Sequence, residues 1–201
     1  MSAEKVYLRP ITAADTAKIV TWRNKDFVRK NFIRQEPFTE EGHMTWLREQ
    51  VEPGHVAQFI ICVETDGAED VVVCPDGRNP ACVKSACWEI GSVYLRDIDR
   101  KKKTAEYGVF IGEEEAQGRG YGTAAAKLML TYGFGELELE KIFLRFVEGN
   151  IGARKSYEKA GFRIVKDRRE TVELEQGMRE VFFMEIGRGV WEKAQNSAGM
   201  E

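Results

Sequence analysis

The feature that most constrains this chain is the passage from residue 111 to residue 123. A β-rich run, Ala105-Glu-Tyr-Gly-Val-Phe-Ile111, leaves through Gly112-Glu-Glu-Glu-Ala and enters Gln117-Gly-Arg-Gly-Tyr-Gly122. Residues 123–134 follow, rich in Ala, Leu, Met and Lys, and read as a strong helix. Such a passage demands a strand aimed at a helix start. The first turn of that helix carries unpaired N–H groups and the positive end of the helix dipole, so it suits an anion. Gly118, Gly120 and Gly122 strip away side chains that would keep a diphosphate from the backbone, and Arg119 adds a positive charge.

The rest of the chain arranges itself around that junction. Residues 6–9 read as a short strand stopped by Pro10, and Thr12-Ala-Ala-Asp15 as a capping box starting a helix to about Trp22. A second helix follows Thr39, with Met44, Leu47 and Val51 at helical spacing, ended by Pro53-Gly54. Strands are expected at 58–63, 88–95 and 105–111, the last two joined by a polar link over 96–103. Residues 141–147 read as a strand. Residues 150–160 read as a helix closed by Gly161, and two final strands lie near 163–172 and 181–186. The order β-α-α-β-β-β-α-β-α-β-β predicts a mixed α/β (α+β) fold: a mainly antiparallel central sheet flanked by helices, in one domain over 1–187. An inserted hairpin or flap is expected at about 66–87, bordering the acceptor site or a subunit contact. A loose polar tail at 188–201 is expected to be pinned at its start by Trp191.

Composition narrows the function. The chain has 201 residues with 30 basic and 33 acidic side chains, a net charge of −3, which argues against nucleic-acid binding through phosphate neutralisation. No apolar run reaches the roughly 20 residues of a membrane span, and the N-terminus lacks a signal-peptide pattern. The cysteines Cys62, Cys74, Cys82 and Cys87 have no zinc-site spacing, so reduced thiols, no metal and a cytoplasmic location are expected. His43 and His55 read as exposed or helix-packing residues, and Glu113-Glu114-Glu115 as pointing away from the anion site.

Gln117-x-x-Gly120-x-Gly122 resembles the acyl-CoA pyrophosphate loop of the GNAT N-acetyltransferase superfamily, and its glycine spacing differs from a dinucleotide-binding fingerprint. Downstream, Asn150-Ile-Gly-Ala153 with Tyr157 and Gly161-Phe162 is similar to the superfamily's second signature. Leu8-Arg9-Pro10, Trp22-Arg23-Asn24 and Glu41-Gly42-His43 resemble its branch of ribosomal-protein N-terminal, polyamine and amino-sugar-nucleotide acetyltransferases. The resemblance implies acetyl-CoA as cofactor, held by Val109, Phe110, Ile111, Gln117, Gly118, Arg119, Gly120, Tyr121, Gly122, Thr123, Asn150, Ala153 and Tyr157. It implies transfer to a small-molecule amine or peptide N-terminus by direct attack in a ternary complex, with Tyr157 protonating the departing thiolate. Trp22, Arg23 and Asn24 are expected at the acceptor, and Glu106 as general base, with Glu89 a weaker candidate. Asn150 can cap its helix and shares a face with Tyr157, seven residues on. A monomer or homodimer is expected. The alternative is a catalytically idle acyl-CoA-binding sensor, which has no use for a proton donor at the sulfur.

Overall fold

The computed structural model describes residues 5–64 and 87–198. They form a seven-stranded sheet in the order β1-β2-β3-β4-β5-β7-β6. Its strands are β1 (Val6–Pro10), β2 (Ala57–Glu64), β3 (Cys87–Asp99), β4 (Thr104–Ile111), β5 (Lys141–Val147), β6 (Arg163–Leu174) and β7 (Gly177–Gly187). The helices are α1 (Thr16–Asn24), α2 (Asp26–Arg29), α3 (Glu40–Trp46), α4 (Tyr121–Gly135), α5 (Ile151–Ala160) and α6 (Arg188–Ala198). The expected mixed sheet with flanking helices is present. The expected insertion falls, apart from Cys87, outside the described residues.

Neighbouring strands run antiparallel except β4 and β5, which run parallel and pair only from Thr104 with Lys141 to Glu106 with Phe143. Beyond that last pair the two strands part. Tyr107–Ile111 keep β3 as partner, and Leu144–Val147 keep β7. A strand turns the hydrogen-bonding groups of successive residues to alternate sides, so the parting leaves every second residue of the stretch 107–111 with its backbone groups facing a gap inside the sheet.

Each face of the sheet carries its own core. On one side, Val93, Leu95, Ala105 and Tyr107 meet Ala125, Met129 and Phe134 of α4 and Tyr157 of α5. On the other, Ile60, Cys62 and Phe110 meet Ile19 and Trp22 of α1, Val28 of α2 and Leu47 beyond α3. Gly133 of α4 makes the first contact possible, since a β-carbon there would lie 2.7 Å from Ile142. An alanine in its place would force the ends of the Ile142 and Leu95 side chains to shift.

Two expectations need correction, and one short element went unread. The polar link at 96–103 is shorter than read: β3 runs to Asp99, carried past Leu95 by pairing of Arg96 with Glu106. Over its described residues the tail is not loose, because α6 forms. Its Trp191 ring packs on Phe134 at 5.3 Å, and Arg188 donates to the Phe134 and Leu139 carbonyls. The chain between α1 and α3 holds a short helix, α2, whose apolar content is too brief to show a period. The caps behave as expected: Thr12 and Asp15 complete a capping box, and the Thr39 hydroxyl accepts from Gly42 N at 3.0 Å.

Candidate active site

The cofactor side of the gap is built largely from backbone. Gly118 (φ +73°) and Gly120 (φ +88°) occupy left-handed conformations that cost other residues roughly 1–2 kcal/mol. A β-carbon at either would meet nothing within 4 Å, so both glycines face open space. Gly120 caps α4, its carbonyl accepting from Thr123 and Ala124. The amides of Gly118, Gly120 and Gly122 donate to none of the described residues. Gly122 works differently from the expectation that it clears space for a diphosphate. Its missing side chain faces Ser156 Oγ of α5 at 3.4 Å, and Thr123 Oγ1 bonds that hydroxyl at 3.0 Å. The two helix starts are thereby drawn together. The Arg119 guanidinium lies over the Tyr121 and Trp88 rings, at 5.2 and 5.8 Å. Gln117 is exposed, and Glu114 and Glu115 point to solvent. Glu113 turns the other way, accepting from Trp22 Nε1 at 2.6 Å and Lys25 at 3.1 Å.

Asn150 caps α5 through a 3.2 Å bond from Ala153 N to its side-chain oxygen, and Ala153 packs on the core. Two turns on, the Tyr157 ring is wedged among Tyr107, Phe146 and Phe162, with centroids 6.0–6.2 Å away. Tyr107 lies on β4 and Phe146 on β5, so Tyr157 is held by both walls of the gap just beyond their parting. Its side chain is buried, and burial raises its pKa, favouring the protonated phenol. Its hydroxyl bonds no described residue.

The opposite side is built from side chains. Of Trp22, Arg23 and Asn24, two are occupied with the fold rather than with an acceptor. Trp22 is 1% exposed and lies against Gly112, where a β-carbon would fall 2.2 Å from its ring. Asn24 exchanges two 2.8 Å bonds with the backbone of Phe38, clamping the loop that follows α2. Arg23 instead stacks on an aromatic face, its guanidinium 3.3 Å from the centroid of Phe32, which packs edge-on against Phe110.

Glu106, expected as the base, stands at the last rung of the β4–β5 ladder. Its Oε1 accepts from Arg96 Nη2 (2.9 Å) and Arg145 Nε (3.1 Å), and its Oε2 from Arg145 Nη2 (3.2 Å). With both oxygens engaged it bridges β3 and β5, which fits a brace and not an open base. Glu89 is likewise committed, to Arg9 and Lys18. Burial opposes the charges of this network, but hydrogen bonds outweigh it and hold the carboxyls of Glu89 and Asp15 below the ordinary range. Tyr94, Arg96 and Arg145 escaped the sequence reading. Tyr94 covers Gly108, where a β-carbon would fall 2.3 Å from its ring. The alternation of Ser92, Tyr94 and Arg96 along one strand face was the available signal.

With this geometry in hand, the comparisons are specific. Residues 5–163 match the acetyltransferase (GNAT) domain family, so the chain belongs to it. The spermidine N(1)-acetyltransferase of Escherichia coli is 39% identical over 74 residues, 37% of this chain and 39% of that enzyme. The probable N-acetyltransferase YjcK of Bacillus subtilis is 26% identical over 97% of this chain and 93% of its own length. Among solved structures, the Vibrio cholerae spermidine N-acetyltransferase in complex with CoA and spermine superposes with a TM-score of 0.73. It is 21% identical, covering 92% of this chain and 97% of that one. Over the first of the curated relatives the matches span 30–39% of their length.

Proposed function

We propose that this protein transfers an acetyl group from acetyl-CoA to a primary amine by direct attack within a ternary complex. The observation that carries the reading is the gap between β4 and β5, flanked by the Gly118–Gly120 turn on one side and closed at its depth by Tyr157. A slim, extended pantetheine arm can pair with the free edge of β4, while the amides of Gly118, Gly120 and Gly122 at the start of α4 receive the pyrophosphate. The family and the CoA bound in the Vibrio cholerae neighbour support this assignment.

In the reaction, a neutral amine attacks the thioester carbonyl, and the developing oxyanion takes an N–H of β4 near Val109 or Phe110. The C–S bond breaks, and the thiolate receives the phenolic proton of Tyr157, whose raised pKa keeps that proton in place at neutral pH. The amine's own proton goes to water at the mouth of the gap, because Glu106, Glu89 and Glu113 are each engaged by cations. Holding both reactants in one cleft supplies much of the rate. Relatives named for spermidine make a polyamine one acceptor to test, beside amino sugars and peptide N-termini.

Tyr157→Phe removes the hydroxyl and keeps the ring's packing. It is expected to lower kcat by ~10²–10⁴-fold with KM for acetyl-CoA nearly unchanged. Thiol release across an amine panel measures this. Full activity in the variant would reduce Tyr157 to a packing residue, and no thiol release from any amine in the wild type would favour an idle acyl-CoA sensor.

A further inference from the structure

Arg23 at the end of α1 feels the charge of a second guanidinium, Arg96 on β3, which shares a carboxylate with a third, Arg145 on β5. Glu106 engages the last two. Arg145 also lies 3.6 Å from Glu170, and Arg96 lies 3.6 Å from the exposed Asp97. Arg23 has no carboxylate partner among the described residues, and its Nη1 is buried without a hydrogen bond. The Nε of Arg96 is buried without one as well.

Stacking on Phe32 draws the Arg23 charge to an aromatic face but gives its Nη1 no acceptor. Its guanidinium lies over Phe32 at 3.3 Å and within 5.3 Å of Phe38, which covers a face of the fork and leaves the buried Nη1 at its rim unanswered. Burial lowers the pKa of Arg23, and the like charge of Arg96 pushes the same way. A half-buried cation with a dry, unbonded donor is costly until an anion meets it. The pyrophosphate cannot be that anion in the proposed arrangement, since its glycine turn begins α4 on the opposite face of the sheet.

We infer that Arg23, with Arg96 beside it, receives a carboxylate or phosphate carried by the acceptor amine. This rests on the acetyltransferase reading and narrows it: the substrate class is an anion-bearing amine, such as an amino acid, an acidic peptide or a phosphorylated amino sugar, in preference to a polycation. A polyamine would bring ammonium groups to the Arg23 guanidinium, which has no carboxylate partner among the described residues, a like-charge approach that lowers affinity. A planar fork suits either anion, because both accept two parallel N–H bonds.

The test compares matched amines differing only in the anion: glucosamine with glucosamine 6-phosphate, and alaninamide with alanine, with spermidine as the cationic reference. Each is assayed by thiol release and titrated calorimetrically onto CoA-saturated and cofactor-free protein, for the wild type, Arg23→Met and Arg23→Lys. Methionine keeps apolar contact with Phe32 and Phe38, and lysine keeps charge without the fork. The expected result is a preference of roughly 10–100-fold for the anionic member of at least one pair. Arg23→Met should abolish that preference and Arg23→Lys restore part of it, with the CoA dissociation constant within a few-fold of wild type. The pair that responds identifies phosphate or carboxylate. A wild type that favours the neutral twin or spermidine overturns the proposal, as does an anionic preference that survives Arg23→Met. Failure to bind CoA or to turn over any amine counts against the acetyltransferase reading instead, while the titrations still decide whether Arg23 selects anions.

Discussion

The two sides of this sheet solve opposite problems with opposite materials. Around the start of α4 the working groups are main-chain amides, exposed by glycines whose absent side chains would have met only open space. Around α1 and α3 they are side chains, and apart from Arg23 those named are bound by partners distant in sequence: Trp22 with Glu113, Arg9 with Glu89, Asn24 with Phe38. A backbone site tolerates side-chain change as long as the turn survives, whereas a side-chain site shares its residues with the core. Mutations should therefore separate binding from stability on the first side and entangle them on the second.

The largest expected effect tests the entangled side. Trp22→Ala removes a fully buried indole, its bond to Glu113 and its packing on Gly112 and Phe110. Such truncations cost about 3–5 kcal/mol, read as a fall in the denaturant midpoint, while CoA affinity of the protein that remains folded stays within a few-fold. A stable Trp22→Ala variant would dissolve the contrast. Next comes Gly120→Glu, paired with Gly120→Ala. Both carry the same left-handed strain at φ +88°, so their difference isolates charge. Like-charge juxtaposition costs several kcal/mol, so the Glu variant should bind CoA roughly 10²-fold more weakly than the Ala variant. Equal affinities would mean that the diphosphate lies elsewhere.

The smallest effect concerns pH. His43 is 1% exposed, its Nδ1 2.9 Å from Thr16 Oγ1, and burial lowers its pKa despite the opposing charge of Asp15. The unfolded chain then takes up a proton before the folded one does. Stability contributed by neutral His43 is present above the ordinary pKa of ~6.5 and declines below it, by at most about 1.4 kcal/mol per pH unit. Melting temperatures between pH 7.5 and 5.5 should fall in the wild type and fall less in His43→Gln. Parallel slopes would remove His43 from the account.

The same contrast governs what the sequence disclosed. The glycine turn, the Asn150 cap and the α5 helix ended by Gly161 are local, because a left-handed residue or a side-chain cap is a property of a few adjacent positions. They were legible down to single residues. The engagement of Glu106 by Arg96 and Arg145 depends on strand register across ten and thirty-nine positions, and nothing in a single strand specifies its partner. Glu106 therefore read as an open base. Trp22-Arg23-Asn24 read as one substrate-facing motif, yet a helix turns 100° per residue, so adjacent side chains in α1 take separate destinations. The α6 helix was missed because its anchor, Trp191 on Phe134, is a long-range contact while its own composition is polar.

The short parallel ladder between β4 and β5 has a consequence of its own. Most sheets expose two edges to solvent, and a long bare edge invites other chains to add strands. Here three rungs join two antiparallel sub-sheets, and above the third rung two more edges open inward. The rings of Tyr107, Phe146 and Tyr157 border that slot, packed against one another from both strands and from α5. A foreign strand would have to displace those packed rings to pair with the inward edges, a barrier that a bare outer edge does not offer.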